Sequence, residues 1–152
     1  MIDVRPGRRE DRAFARDLGR RTIGSSLSPL RAAEPALVHA SFERLLDVVF
    51  EQSHDFLIAE REGERIGYLL LMDSMPDEVS LGAQGFVAYM AVEENARRDG
   101  VARALLREAE RLARQRGLPY ISLMVTEAND AARNLYESAG YVTERRLLCK
   151  VL

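Results

Sequence analysis

The chain has a single cysteine, Cys149, and a single lysine, Lys150, in 152 residues. One thiol excludes an intramolecular disulfide and a cysteine-held zinc cluster. Cys149 reads instead as a small apolar residue in a terminal strand. With one lysine, almost all of the 22 basic residues are arginine, a bias of composition rather than a functional signal. No run approaches the roughly 20 apolar residues of a membrane span. Met1-Ile2-Asp3-Val4-Arg5 lacks the apolar segment of a secretory leader. A cytoplasmic location and no membrane partner are therefore expected. Excess charge is missing too: 22 basic against 24 acidic residues leave a net −2. That balance offers no electrostatic footing for nucleic acid. Repeats, linkers and low-complexity segments are absent, so residues 1–152 are expected to form one domain.

What is present is an alternation of strand and helix patterns. Met1–Arg5 is a strand, stopped by Pro6-Gly7. Glu10 and Asp11 open a helix to about Arg21, with Phe14 and Leu18 inward and Arg20-Arg21 at its negative end. Gly24–Pro29 is a loop by composition. Pro35 starts a second helix reaching Glu51, with Val38, Phe42, Leu45, Leu46 and Val49 as its buried stripe. His54–Arg61 and Arg65–Met72 form a hairpin about Glu62-Gly63-Glu64. Asp73–Gly85 is a mobile loop. After the central segment come a strand at Tyr120–Val125, a helix at Ala128–Ala139 and a last strand pair from Gly140 to Leu152.

The central segment is Phe86–Arg116. Phe86–Val92 is apolar without alternation, as in a strand covered on both faces. Val101, Ala104, Leu105, Leu112 and Ala113 then recur with helical period. Between them lies a basic turn holding Arg97, Arg98, Asp99, Gly100, Val101, Ala102 and Arg103. A helix start has unpaired N–H groups and partial positive charge. Gly100 and the small Ala102 let a phosphate approach that backbone, and three arginines add full charges. The turn suits a diphosphate. Neither G-x-G-x-x-G nor Gly-Lys-Ser/Thr is present, which excludes the dinucleotide fingerprint and the P-loop.

Arg97-x-x-Gly100-x-Ala102, preceded by Met90-Ala91-Val92, resembles the pyrophosphate loop of the GNAT (GCN5-related) superfamily of acyl-CoA-dependent N-acyltransferases. Asn129-x-x-Ala132-x-x-Leu135-Tyr136-x-x-x-Gly140-Tyr141 is similar to that family's second signature, and the element order agrees along nearly the whole chain. The resemblance implies a mixed α/β fold. Its mostly antiparallel sheet would have six to seven strands and about four helices, with a splayed parallel strand pair admitting the cofactor. It also implies acetyl transfer from acetyl-CoA to a primary amine of a small molecule or peptide. The step would be direct attack through a tetrahedral intermediate, with coenzyme A as co-substrate and no metal.

Each residue type fits a role in that chemistry. Backbone N–H groups near Met90, Ala91 and Val92 would hold the thioester carbonyl. Residues 97–103 would hold the diphosphate, and Asn129 the pantetheine amides. Tyr136, a phenol protonated at neutral pH, would be the acid that protonates the departing thiolate. Arg133 is a lesser candidate for the cofactor's 3′-phosphate. Arg107, Arg111 and Arg114, interleaved with Glu108 and Glu110, read as solvated surface.

No general base stands out. Glu93, Glu94, Glu127, His54 and Tyr89 are candidates, and His39 reads as a surface histidine. Family members that acetylate protein N-termini carry Glu five residues before the asparagine, where this chain has Met124. Glu34, Asp73, Asp77 and Glu78 lie in loops that build the family's acceptor site and are candidates for attracting a cationic amine. The alternative function is a non-catalytic CoA-binding regulatory or scaffold protein. A homodimer is compatible with the sequence, though no residue argues for it.

Overall fold

The computed structural model describes residues 1–152. Five strands, β1 (Asp3–Pro6), β2 (His54–Arg61), β3 (Glu64–Met72), β4 (Gly85–Val92) and β5 (Ile121–Leu123), lie side by side in chain order. All neighbours are antiparallel except β4 and β5, which are parallel. The helices are α1 (Arg12–Thr22), α2 (Pro35–Glu51), α3 (Val101–Gln115) and α4 (Asp130–Ser138).

Side-chain alternation along the strands divides the core into two layers. Phe56 and Ile58 of β2 and Tyr68, Leu70 and Met72 of β3 meet Ala15, Leu18, Phe42, Leu46 and Val49 of α1 and α2. Leu57, Ala59, Leu69 and Leu71 point the other way, onto Val101, Leu105, Leu106 and Ala109 of α3. Pro35 occupies the first turn of α2, where its missing N–H has no intrahelical partner to lose. The β2–β3 hairpin closes through Glu62 and Gly63, both at positive φ (51° and 82°), the geometry that matches strand twist.

A buried ion cluster pins the start of α1. The Asp11 carboxylate is shut off from solvent. It accepts from Arg5 at 2.8 Å, from Arg65 at 2.7 Å and from the Arg8 N–H at 2.7 Å. Those donors, led by Arg5, hold its pKa at about 2 against an ordinary 3.8.

The sequence expectations differ from the fold in three places. The sheet has five strands, because no strand forms between Gly140 and Leu152. Past Tyr141 the segment contains no glycine, proline, asparagine or aspartate, so the expected terminal pair has none of the usual turn residues between its two strands. Cys149, expected in that strand, is exposed. The Asp73–Gly85 loop is irregular but braced. Asp77 accepts from the N–H groups of Val79 and Ser80 and from the Ser80 hydroxyl, and pairs with Arg145.

A depressed carboxylate pKa contributes stability that is complete above the unfolded value and lost as pH falls through the folded one. Asp11→Asn should therefore destabilise the protein by about 3 kcal/mol at neutral pH, through uncompensated buried guanidinium charge. It should also flatten the decline of wild-type stability between about pH 4 and pH 2. Urea unfolding across that range checks both; parallel pH profiles for the two proteins would rule out the assignment.

Candidate functional site

The site begins where β4 loses a neighbour. Strand pairing of β4 with β5 runs only from Gly85↔Ile121 to Val87↔Leu123. At the next residue β4 is irregular: Leu71 of β3 pairs with Val87 and Leu70 with Tyr89, leaving Ala88 as an inserted residue. Such a bulge bends a strand and reverses which face its side chains take. Val87 packs on the α3 side, whereas Ala88, Tyr89 and Ala91 pack on the α1–α2 side.

The bulge also decides where the main chain points. Gly85 N–H bonds Tyr120 O toward β5, and Glu93 N–H bonds Ile66 O toward β3. Counting back from Glu93 by twos, Tyr89 and Ala91 face β3. Met90 and Val92 therefore turn their N–H and C=O groups to the side that β5 has left. Val92 O there meets only the Arg97 Nε, at 3.4 Å.

A short 3-10 turn, Glu94–Ala96, carries the chain from β4 to the loop before α3. Gly100 caps α3 at φ 87° with no side-chain cap, so the first N–H groups of the helix have no capping acceptor. A Cβ on Gly100 would meet nothing within 4 Å. Glycine is needed here for its backbone angle and not for space. Arg98 adopts φ 67° with a full side chain, a conformation that costs an L-residue roughly 1–2 kcal/mol.

The loop's charges are unevenly engaged. Asp99 is drawn off by Arg61 of β2 at 3.1 Å, and Arg103 donates to Ser138 Oγ of α4 at 2.7 Å. Arg97 and Arg98 are exposed and carry no ion pair. Val101 is buried in the α3-side core, and Ala102 is half-buried on the first turn.

Gly67 lies outside both sequence signatures and still shapes this corner. A Cβ on Gly67 would stand 2.9 Å from Ala91 O and 3.2 Å from Val101 Cγ1. Only glycine lets β3, β4 and the start of α3 come this close. Its signal in the sequence is a glycine inside an apolar strand.

The second signature lies across the opening. Asn129 caps α4, its Oδ1 accepting from Ala132 N–H at 3.2 Å, which leaves the side-chain NH2 as the available group. Tyr136 is half-buried, edge-on to Tyr141 at 5.9 Å between ring centres. Burial, with a smaller contribution from Tyr89, raises its pKa above the ordinary 10. Arg133 stays local, pairing with Asp130 and Glu127.

The segment after α1 closes the α1–α2 side of the opening. Thr22 Oγ1 shares a 2.7 Å hydrogen bond with Tyr89, and Ser26 O accepts from Thr126 beyond β5 at 2.6 Å. A hollow of about 270 Å³ lies in this segment, lined by Ile23, Leu27, Ala33, Leu37 and Val38 with Ser26 and Ser41.

The base candidates separate on geometry. His54 begins β2 opposite Met72, at the far end of the sheet, bonded to Gln52 O and packed against Phe50. It borders a different, polar hollow of about 310 Å³. The Glu93 carboxylate is engaged by Arg21 at 2.8 Å. Glu94 and Glu127 are exposed, and burial raises the pKa of Tyr89. Of the acidic loop residues, Asp73 pairs with Arg116, while Asp77 and Glu78 pair with Arg145. Glu34 is exposed before α2.

Known proteins share both the sequence pattern and the shape. A family model described as the acetyltransferase (GNAT) family matches residues 21–141. An acetyltransferase of Pectobacterium atrosepticum is 35% identical over 101 residues, covering 64% of this chain and 67% of that one. A solved Pyrococcus furiosus protein assigned as an acetyl transferase superposes with a TM-score of 0.83 at 25% identity, over 100% of both chains. The aminoglycoside acetyltransferase AAC(6')-Iy, solved with a CoA-based bisubstrate analogue, superposes with a TM-score of 0.72. It is 16% identical, over 100% of this chain and 98% of that one, and so shares the fold alone.

Arg98→Gly tests whether the loop is shaped by its backbone. Relief of the left-handed penalty should offset the roughly 0.5–1 kcal/mol of added chain entropy, leaving stability within about 1 kcal/mol of wild type. Denaturant unfolding is the measurement; a loss above about 2 kcal/mol would mean that the Arg98 side chain holds the loop.

Proposed function

The chain belongs to the GNAT acetyltransferase family, and on that premise we propose that it moves the acetyl group of acetyl-CoA onto a primary amine of a small molecule or peptide. The observation that carries this reading is the parting of β4 from β5 at the Ala88 bulge, beside the uncapped start of α3. The residues present fit the co-substrate: unpaired donors at Met90 and Val92, a glycine-opened helix start, and two arginines without ion pairs.

When bound, acetyl-CoA supplies an acyl group activated as a thioester. Backbone N–H groups of residues 97–103, with Arg97 and Arg98, would hold its diphosphate. The N–H groups of Met90 and Val92 would orient the carbonyl and stabilise charge growing on its oxygen as the amine attacks through a tetrahedral intermediate. The Asn129 NH2 would donate to a pantetheine carbonyl. Tyr136, kept neutral by burial, would protonate the departing thiolate.

The incoming amine reaches the carbonyl from the side of Tyr89, Thr22 and the segment after α1. The nearby hollow is mainly apolar, and three of the four acidic loop residues are neutralised by arginine. This lining favours an amine carried on an apolar body over a polycation. Of the carboxylate candidates, Glu93 is engaged by Arg21 and Glu127 by Arg133, while Glu94 is exposed; no side chain is assigned as base, and the amine would lose its proton through a chain of waters.

Tyr136→Phe should lower kcat by about 10²-fold while changing CoA affinity by less than about twofold. The wild-type rate should show no Tyr136-linked fall below pH 10, since the folded-state pKa lies above that value. Thiol release measured against an amine panel, with calorimetric CoA titration, separates the two effects; unchanged turnover removes Tyr136 from the mechanism. Gly100→Glu brings bulk and negative charge to the helix start and should weaken CoA binding by at least about 10²-fold. Wild-type CoA affinity in that variant would refute the loop assignment.

A further inference from the structure

The polar hollow of about 310 Å³ lies apart from the proposed acetyl-transfer site. It opens where the turn after β1 meets the start of β2 and the second half of α3. Arg111 in its wall stands about 15 Å along α3 from Val101. The loop of residues 97–103 is therefore remote from it.

The wall carries more positive charge than it neutralises. Arg8, Arg9, Arg12 and Arg111 line it together with the carboxylates of Asp55 and Glu108. Both carboxylates are already engaged. Glu108 accepts from Arg111 at 2.9 and 2.7 Å, and Asp55 accepts from Arg116, outside the wall, at 2.6 Å. Arg8 reaches only the exposed Glu10, at 3.6 Å. Arg9 and Arg12 have no carboxylate partner.

Arg12 is the most constrained of these arginines. It is half-buried, and its guanidinium carbon sits 4.3 Å from the centre of the Phe50 ring. His54 packs against the same ring at 5.3 Å between centres, its Nδ1 held by Gln52 O at 2.8 Å. Stacking holds a guanidinium by its face and leaves its in-plane N–H groups for an acceptor. Gly7 brings the neighbouring turn over the hollow. Its N–H donates to Phe56 O at 2.6 Å, and a Cβ there would fall 2.3 Å from the Phe56 ring. Only glycine lets the turn lie on Phe56 and carry Arg8 and Arg9 to the rim.

We propose that this hollow is a second anion site, taking a small phosphate-bearing molecule such as a sugar phosphate. Arginine forks match phosphate oxygens in pairs, and two uncompensated guanidinium groups balance a phosphate dianion. The remaining volume accommodates an organic body against Pro6, Phe56 and Leu57. The site needs no assumption about the acetyl-transfer chemistry.

Titration of the 15N-labelled full chain with ribose 5-phosphate at constant ionic strength tests this. Amides of Gly7, Arg9, Arg12 and His54 should shift saturably at millimolar ligand or below, while ribose leaves them in place. Arg12→Gln keeps much of the bulk over Phe50 and should weaken binding at least about tenfold, the loss of one charge-assisted contact. Should that variant not fold, the double variant Arg8→Gln, Arg9→Gln, at exposed positions, should show a loss of the same size. Inorganic phosphate should shift the same amides with lower affinity; equal affinity would overturn the organic part of the ligand. Absence of saturable shifts at these four amides, shifts confined to residues 97–103, or unchanged affinity in the folded variants would overturn the site. Shifts at 97–103 report on the cofactor loop alone, so the two assignments fail separately.

Discussion

Past Val87, β4 keeps a hydrogen-bonding partner on one side and loses it on the other. A strand inside a sheet ordinarily spends every backbone group on its neighbours. Here an inserted residue, Ala88, bends the strand at the point where β5 departs. Met90 and Val92 are left with main-chain groups that no neighbouring strand uses, Val92 O meeting only the Arg97 Nε. The rest of the site is arranged around those groups. Gly67 draws β3 and the start of α3 against them, Gly100 opens the helix end nearby, and α4 brings Tyr136 from beyond β5.

The charged side chains show the same division between scaffold and site. Most arginines near the opening are engaged in holding the fold. Arg21 meets Glu93, Arg61 meets Asp99, and Arg103 meets Ser138. Arg97 and Arg98 have no ion-pair partner. Arg98 is also held in the left-handed backbone region, strain of the kind that gathers at functional sites. An overall charge near zero therefore coexists with a local positive corner.

Much of the framework was legible from local pattern. Pro35 and the apolar stripe through Phe42, Leu46 and Val49 mark α2 to its observed ends, and Glu62-Gly63 marks the hairpin. The Arg97–Arg103 turn was visible because a glycine with arginines between strand and helix patterns has a local chemical meaning. Gly67 was not singled out, because a strand glycine gains meaning only from what approaches it. The terminal segment was expected to pair within the sheet because Val142–Leu152 has the composition of a strand. Composition gives a strand's conformation but not its neighbour.

The sequence by itself determined the element order, both family signatures, the phosphate-suited turn and the neutral phenol. Each depends on residues close in the chain, where periodicity, capping and intrinsic pKa act. Tertiary structure alone decided the place of the Ala88 bulge, the direction of the Met90 and Val92 amides, and the pairing of Asp77 and Glu78 with Arg145. It also decided that β5 stands last in the order of the five strands. These are contacts between residues far apart in sequence, fixed by register and packing, and no local pattern encodes them.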